Sequence, residues 1–209
     1  MAENERKLTE KELRRKEHFD NLSARMQSEG YVKKELTIGV LKANIGALFV
    51  MLPFMAADAW AFFSVHTAGL MSFSITFSLL LLPVLLLLIV LHELIHGITW
   101  GLFAENHFRS IEFGVIWSAL TPYCTCSEPM NRLQYMLGSA MPTIVLGAST
   151  AAAAVISGHL FWFFISELII LSGGGDYIIL LKILMYRSAG KETVFVDHPY
   201  ECGAAVFER

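Results

Sequence analysis

The chain has 209 residues, of which 55% are hydrophobic and only 17% charged, and its mean hydropathy is +0.52. A water-soluble domain of this length cannot cover that much apolar surface, and the composition equally excludes disordered, collagen-like and small disulfide-framework chains. A net charge of −3 offers no basic field for nucleic acid, and three cysteines, two of them in Cys124-Thr125-Cys126, read as reduced thiols.

The charges divide the chain. Residues 1–36 carry nine Lys/Arg and eight Asp/Glu, whereas Ala59 through His92 has none of either. The opening residues are not followed by a short apolar run with a small-residue cleavage site, so no cleaved leader is expected. Thr9 with Glu12 three residues on is a capping-box pattern, and Phe19, Leu22 and Met26 follow at helical spacing before Gly30. The spacing predicts an amphipathic helix over 9–28.

Four apolar stretches then follow, at 38–62, 72–103, 133–157 and 160–187, each long enough as a helix to cross a hydrocarbon layer of about 30 Å. Lys and Arg are retained on the cytoplasmic side. The head, the 104–132 connection (Arg109, Arg132) and the tail (Arg187, Lys191) carry them, while 63–71 and 157–159 carry none, which puts both termini in the cytoplasm. In the long connection Ile111, Phe113, Val115 and Trp117 alternate with Glu112, Gly114, Ile116 and Ser118, and Thr121-Pro122 supplies a turn, predicting a short hairpin. The expected fold is therefore an all-α integral membrane protein: four transmembrane helices, an N-terminal amphipathic cytoplasmic helix and a cytoplasmic-side hairpin between spans 2 and 3. Its segments are a head (1–36), a membrane domain (37–190) and a cytoplasmic tail (191–209).

The chemistry begins with His92-Glu93-Leu94-Ile95-His96. On a helix, residues four apart share a face, so both imidazoles meet at one point, with Glu93 one position round and able to reach a metal-bound water. Two histidines and a carboxylate closing an uncharged span are costly in hydrocarbon unless partnered. Catalytic zinc usually takes three protein ligands, and depth selects the third. His92 lies about 30 Å from the outer end of its span, Asp176 about 24 Å, and Glu167 only about 10 Å, while His159 sits at the outer face. Asp176, in Gly173-Gly174-Gly175-Asp176-Tyr177, is the ligand expected to complete a Zn²⁺ site with His92 and His96; pairing with Lys182 is its alternative role. Asn106, Asn131, Gln134 and Tyr177 are all open as oxyanion donors. Cys124, Cys126, Cys202 and His198 lack the spacing of an ordinary structural zinc site.

With His92-Glu93-Leu94-Ile95-His96-Gly97 on one membrane helix and a glycine-preceded Asp on a later one, the sequence resembles the site-2-protease class of intramembrane metallopeptidases. More closely it is similar to the bacterial putative zincin peptidases, small multi-span proteins. That resemblance extends to Tyr123-Cys124, Glu128-Pro129, Pro142 and Asp197-His198-Pro199, over roughly residues 30–203. It departs at Tyr177, where site-2 proteases usually follow their Asp with Gly. The resemblance implies zinc-dependent hydrolysis of peptide bonds, with Glu93 as general base, in or at a bacterial plasma membrane. The partners implied are the lipid bilayer and a membrane-embedded or membrane-proximal protein substrate, which must unwind locally; the hairpin edge can hold it by strand addition. From other classes, a non-catalytic regulatory partner of the same fold and a small ion transporter are the competing readings.

Overall fold

The computed structural model describes residues 9–66, 75–116, 121–189 and 192–209. The predicted strand positions Trp117 and Ser118, residues 67–71 of the outer connection, and Lys191 lie outside them. Helix α1 (Glu10–Ser28) starts at the capping box, where Thr9 Oγ1 accepts the Glu12 N–H and the Glu12 carboxylate accepts the Thr9 N–H. Strand β1 (Val32–Thr37) leads into α2 (Val40–Val65) and α3 (Ile75–Phe103). A 3-10 turn at His107–Ser110 precedes the hairpin of β2 (Ile111–Ile116) and β3 (Thr121–Cys126). After β4 (Met130–Asn131) come α4 (Arg132–Pro142), a π-helical turn (Thr143–Gly147) and α5 (Ala148–Ser157). Last come α6 (Leu160–Ser172), α7 (Gly174–Met185), β5 (Thr193–Asp197) and β6 (Gly203–Glu208).

The all-α, four-helix expectation is overturned on two counts. Six strands form two sheets, the β2–β3 hairpin and a four-stranded antiparallel sheet ordered β1-β6-β5-β4. Three helical stretches, Leu41–Val65, Leu79–Phe103 and Arg132–Ser157, are long and apolar enough to cross a membrane, but the fourth apolar stretch is two helices, α6 and α7, bent by 40°. The bend falls at Gly173, and Gly174 beyond it lets α7 press on α2: a Cβ there would stand 2.5 Å from the Ala47 Cβ and 3.0 Å from its Cα. Outward-facing Leu41, Phe49, Leu79, Leu82 and Leu102 leave these helices apolar on their exposed faces too.

The four-stranded sheet is covered on both faces. Val196, Ala205 and Phe207 pack on Phe19, Leu22 and Met26 of α1, while Phe195, Ala204 and Val206 pack on Trp100, Tyr135 and Ile183 at the ends of the apolar helices. Covering both faces makes β6 an unbroken buried run instead of an alternating one. The sheet also ties the two ends of the chain together, because β1 pairs with β6 from Val32↔Glu208 to Thr37↔Gly203.

Glu208 closes that pairing. Its carboxylate takes a charged hydrogen bond from Lys34 and further bonds from Tyr186 Oη (2.8 Å), Ser188 Oγ (3.0 Å) and the Ala189 N–H (3.2 Å). Chiefly through Lys34 and then Tyr186, its pKa falls from the ordinary 4.5 to about 2. A depressed carboxylate stabilises fully above its unfolded pKa and loses that contribution as pH falls through the folded one. Glu208→Gln is therefore expected to lower the thermal unfolding temperature of the detergent-solubilised protein at pH 7. The gap from wild type should close as the pH is taken from about 4.5 toward 2.

Candidate metal centre

His92 and His96 lie one turn apart on α3, both buried, with ring centroids 4.9 Å apart. The bend at Gly173 directs α7 so that Asp176, one turn later, reaches them. Its Oδ2 lies 3.1 Å from His92 Nε2 and 3.4 Å from His96 Nε2. One ligand atom from each of the three falls within 4.8 Å of the others, the one such group among the described residues. Ligand atoms about 2.0–2.1 Å from a tetrahedral zinc stand about 3.3–3.4 Å apart. The two spacings from Asp176 Oδ2, 3.1 and 3.4 Å, lie close to that edge.

The tautomer of His96 is set from α4. Pro142 has no N–H to offer the carbonyl four residues before it, and that carbonyl, Gly138 O, lies 2.8 Å from His96 Nδ1. With the imidazole proton donated there, the Nε2 lone pair faces the Asp176 carboxylate. Two acceptors 3.4 Å apart in a buried site call for a positive centre between them, and a divalent ion fits the set. The His92 Nδ1 has no hydrogen-bond partner among the described residues. Trp100, a turn beyond His96, lies flat against its ring at 5.0 Å and 15°. Glu93 projects to the hairpin side, where the backbone N–H of Cys124 faces its carboxyl.

Glu167 does not join the group. It lies beside Asp58, whose carboxylate accepts the Ser166 hydroxyl at 2.5 Å. Lys182, the alternative partner for Asp176, donates instead to Thr37 O at 2.5 Å. Three of the oxyanion candidates hold other structure: Asn131 and Gln134 form the capping box of α4, and Asn106 bonds Glu128. Tyr177 packs edge-on against Phe54. Burial raises the Cys126 thiol to about 12 and the Cys124 thiol higher still. Neither thiol joins Cys202 or His198 in a metal-binding group among the described residues.

Glu128 of Glu128-Pro129 locks the turn after α3. It accepts the Glu105 N–H at 2.7 Å, the Asn106 side-chain amide at 2.5 Å and the Ser110 hydroxyl at 2.5 Å. Burial alone would raise its pKa, but these bonds, Ser110's foremost, bring it below the usual range. Sequence reasoning missed Trp100, Tyr135 and the Gly138 carbonyl. Only Pro142 carries a signal for the last, since a proline inside a helix always frees one carbonyl.

The close approach of Trp100 makes the site sensitive to one methyl group. A Cβ at Gly138 would stand 1.9 Å from Trp100 Nε1, whereas one at Gly175 would meet nothing within 4 Å. Gly138→Ala is expected to cost about 1–3 kcal/mol through overpacking. Gly175→Ala should be neutral or gain up to about 1 kcal/mol in helix propensity. Thermal unfolding of the two variants side by side checks this.

A family model described as "Putative zincin peptidase" matches residues 85–190, just over half of the chain, from the middle of α3 to just past α7. No curated protein and no solved structure matches.

Proposed function

The chain belongs to the putative zincin peptidase family, and from that premise we propose that it is a zinc-dependent peptidase of the site-2-protease type, cutting peptide bonds in or beside a membrane. The observation that carries this reading is the convergence of His92, His96 and Asp176 at ligand spacing, with Glu93 one position round the same helix. The three would hold the ion, His96 in the tautomer that Gly138 selects. Zinc bound there would supply Lewis acidity to the scissile carbonyl and lower the pKa of a coordinated water toward about 7.

Glu93 takes the proton of the attacking water and passes it to the leaving amine. The Cys124 N–H faces that carboxyl from the hairpin. A membrane-spanning substrate arrives with its backbone bonds satisfied internally and must unwind before attack. Strand addition on the hairpin is limited to the outer edge of β2. On β3 the outward N–H of Cys126 is taken by Asp197, that of Cys124 faces Glu93, and residue 122 is a proline.

The membrane setting rests on the three long apolar helices. The direct pairing of β1 with β6 supports a head and tail on one side, and the positive charges of both make that side cytoplasmic. Reporters active only outside the cytoplasm should be silent when fused at Arg209 or before α1, and a bright signal at either overturns the orientation.

Detergent-purified protein should carry about one zinc per chain. His92→Ala or His96→Ala should lose most of it, Asp176→Ala should weaken retention, and Glu167→Ala should leave it in place. Glu93→Gln should keep the zinc but lose roughly 10²–10⁴-fold in hydrolysis. Partners trapped on zinc-loaded Glu93→Gln protein, tested for cleavage by wild type in cells, supply the substrate for that assay. Trapped partners that wild type leaves intact, together with full rescue of a deletion by Glu93→Gln, would replace the enzyme reading with a binding one.

A further inference from the structure

Asp197, at the end of β5, stands where three parts of the chain meet. One carboxylate oxygen accepts the Tyr135 hydroxyl from α4, and the other accepts the Cys126 N–H of β3 at 2.9 Å. Donors on both oxygens at once need an acceptor with no hydrogens of its own, which a carboxylate is and an amide is not.

Both protein neighbours of Asp197 lead to the metal centre. In an antiparallel pair, alternate residues of a strand turn their N–H groups to the same edge. Since the Cys126 N–H points away from β2 to Asp197, the Cys124 N–H points the same way, and it is the one that faces Glu93. The other arm runs through Tyr135, whose backbone carbonyl accepts the Trp100 indole N–H at 3.4 Å. Trp100 lies flat on His96, and the Gly138 carbonyl that fixes His96 follows Tyr135 on α4 by one turn.

Resting on the metallopeptidase reading above, we propose that Asp197 is a positioning residue for the metal centre: by clamping β3 to α4, its carboxylate sets the orientation of Glu93 through Cys124 and of His96 through Tyr135, Trp100 and Gly138. A carboxylate from the tail thus holds the general base and one ligand at their mutual angle without touching either. An acid that served only to anchor the tail would affect the stability of the sheet but leave the centre unchanged.

The test uses full-length detergent-purified wild type, Asp197→Asn and Tyr135→Phe, each loaded with Co²⁺ as a spectroscopic probe and examined in parallel by amide hydrogen exchange. Asp197→Asn turns an N–H₂ toward a donor on one arm. It should raise exchange at 121–126 by tenfold or more while exchange at 203–208 stays within about twofold, and it should change the position or intensity of the visible Co²⁺ band. Tyr135→Phe removes only the α4 arm and should alter the Co²⁺ band while leaving 121–126 protected. A Co²⁺ spectrum of Asp197→Asn superimposable on wild type overturns the proposal, as does exchange that rises equally at 121–126 and 203–208. Should Asp197→Asn fail to fold, an unchanged Co²⁺ band in Tyr135→Phe overturns it equally. Wild type that binds neither Co²⁺ nor Zn²⁺ would instead remove the metallopeptidase reading itself.

Discussion

Two imidazoles and a carboxylate packed among apolar helices give up most of the hydrogen bonds that bulk water offers, so the protein or an ion must replace them. Much of the architecture follows from that requirement. The last apolar stretch breaks at Gly173 to deliver Asp176 to α3. The third stretch carries Pro142 and a π-helical turn, and the carbonyl that the proline leaves unpaired goes to His96. Irregular backbone at this depth is tolerated because it is buried against neighbouring helices rather than exposed to lipid.

The same constraint explains why part of the site could be read from sequence and part could not. HExxH declares itself because helical geometry is fixed: two histidines four apart must share a face whatever surrounds them. Asp176 could be found by counting rise along two stretches of the same direction, since few ionisable groups lie in the apolar body. The capping box of Thr9 and Glu12 was equally local. The backbone contributions left no such trace, because Gly138 serves through its carbonyl and Cys124 through its N–H, atoms that every residue type has in common.

The four-stranded sheet was invisible for a different reason. Strand signals depend on one wet face and one dry one, but β6 is buried on both by α1 and the helix ends, and Gly203-Ala204-Ala205-Val206-Phe207 shows no alternation. Its partner β1 reads Val32-Lys33-Lys34-Glu35, a charged run that looks solvated, until Lys34 is found opposite the Glu208 side of the sheet. The bend between α6 and α7 was hidden because hydropathy averages over glycine: a window records Gly173-Gly174-Gly175 as mildly apolar and carries no information about direction.

The pairing of β1 with β6 has a consequence for how the chain is made. β1 emerges from the ribosome before every long apolar helix and β6 after all of them, so the earliest strand must wait for its partner until the helices between them have been made. Its contacts are among the most distant in the sequence, and such pairings close slowly. The segment that waits is short and charged, with Lys33, Lys34 and Glu35 at its centre, a composition that discourages premature association with other chains. The sheet can therefore close only after the long apolar helices between its first and last strands have been synthesised, so translation order makes it a late layer of the fold.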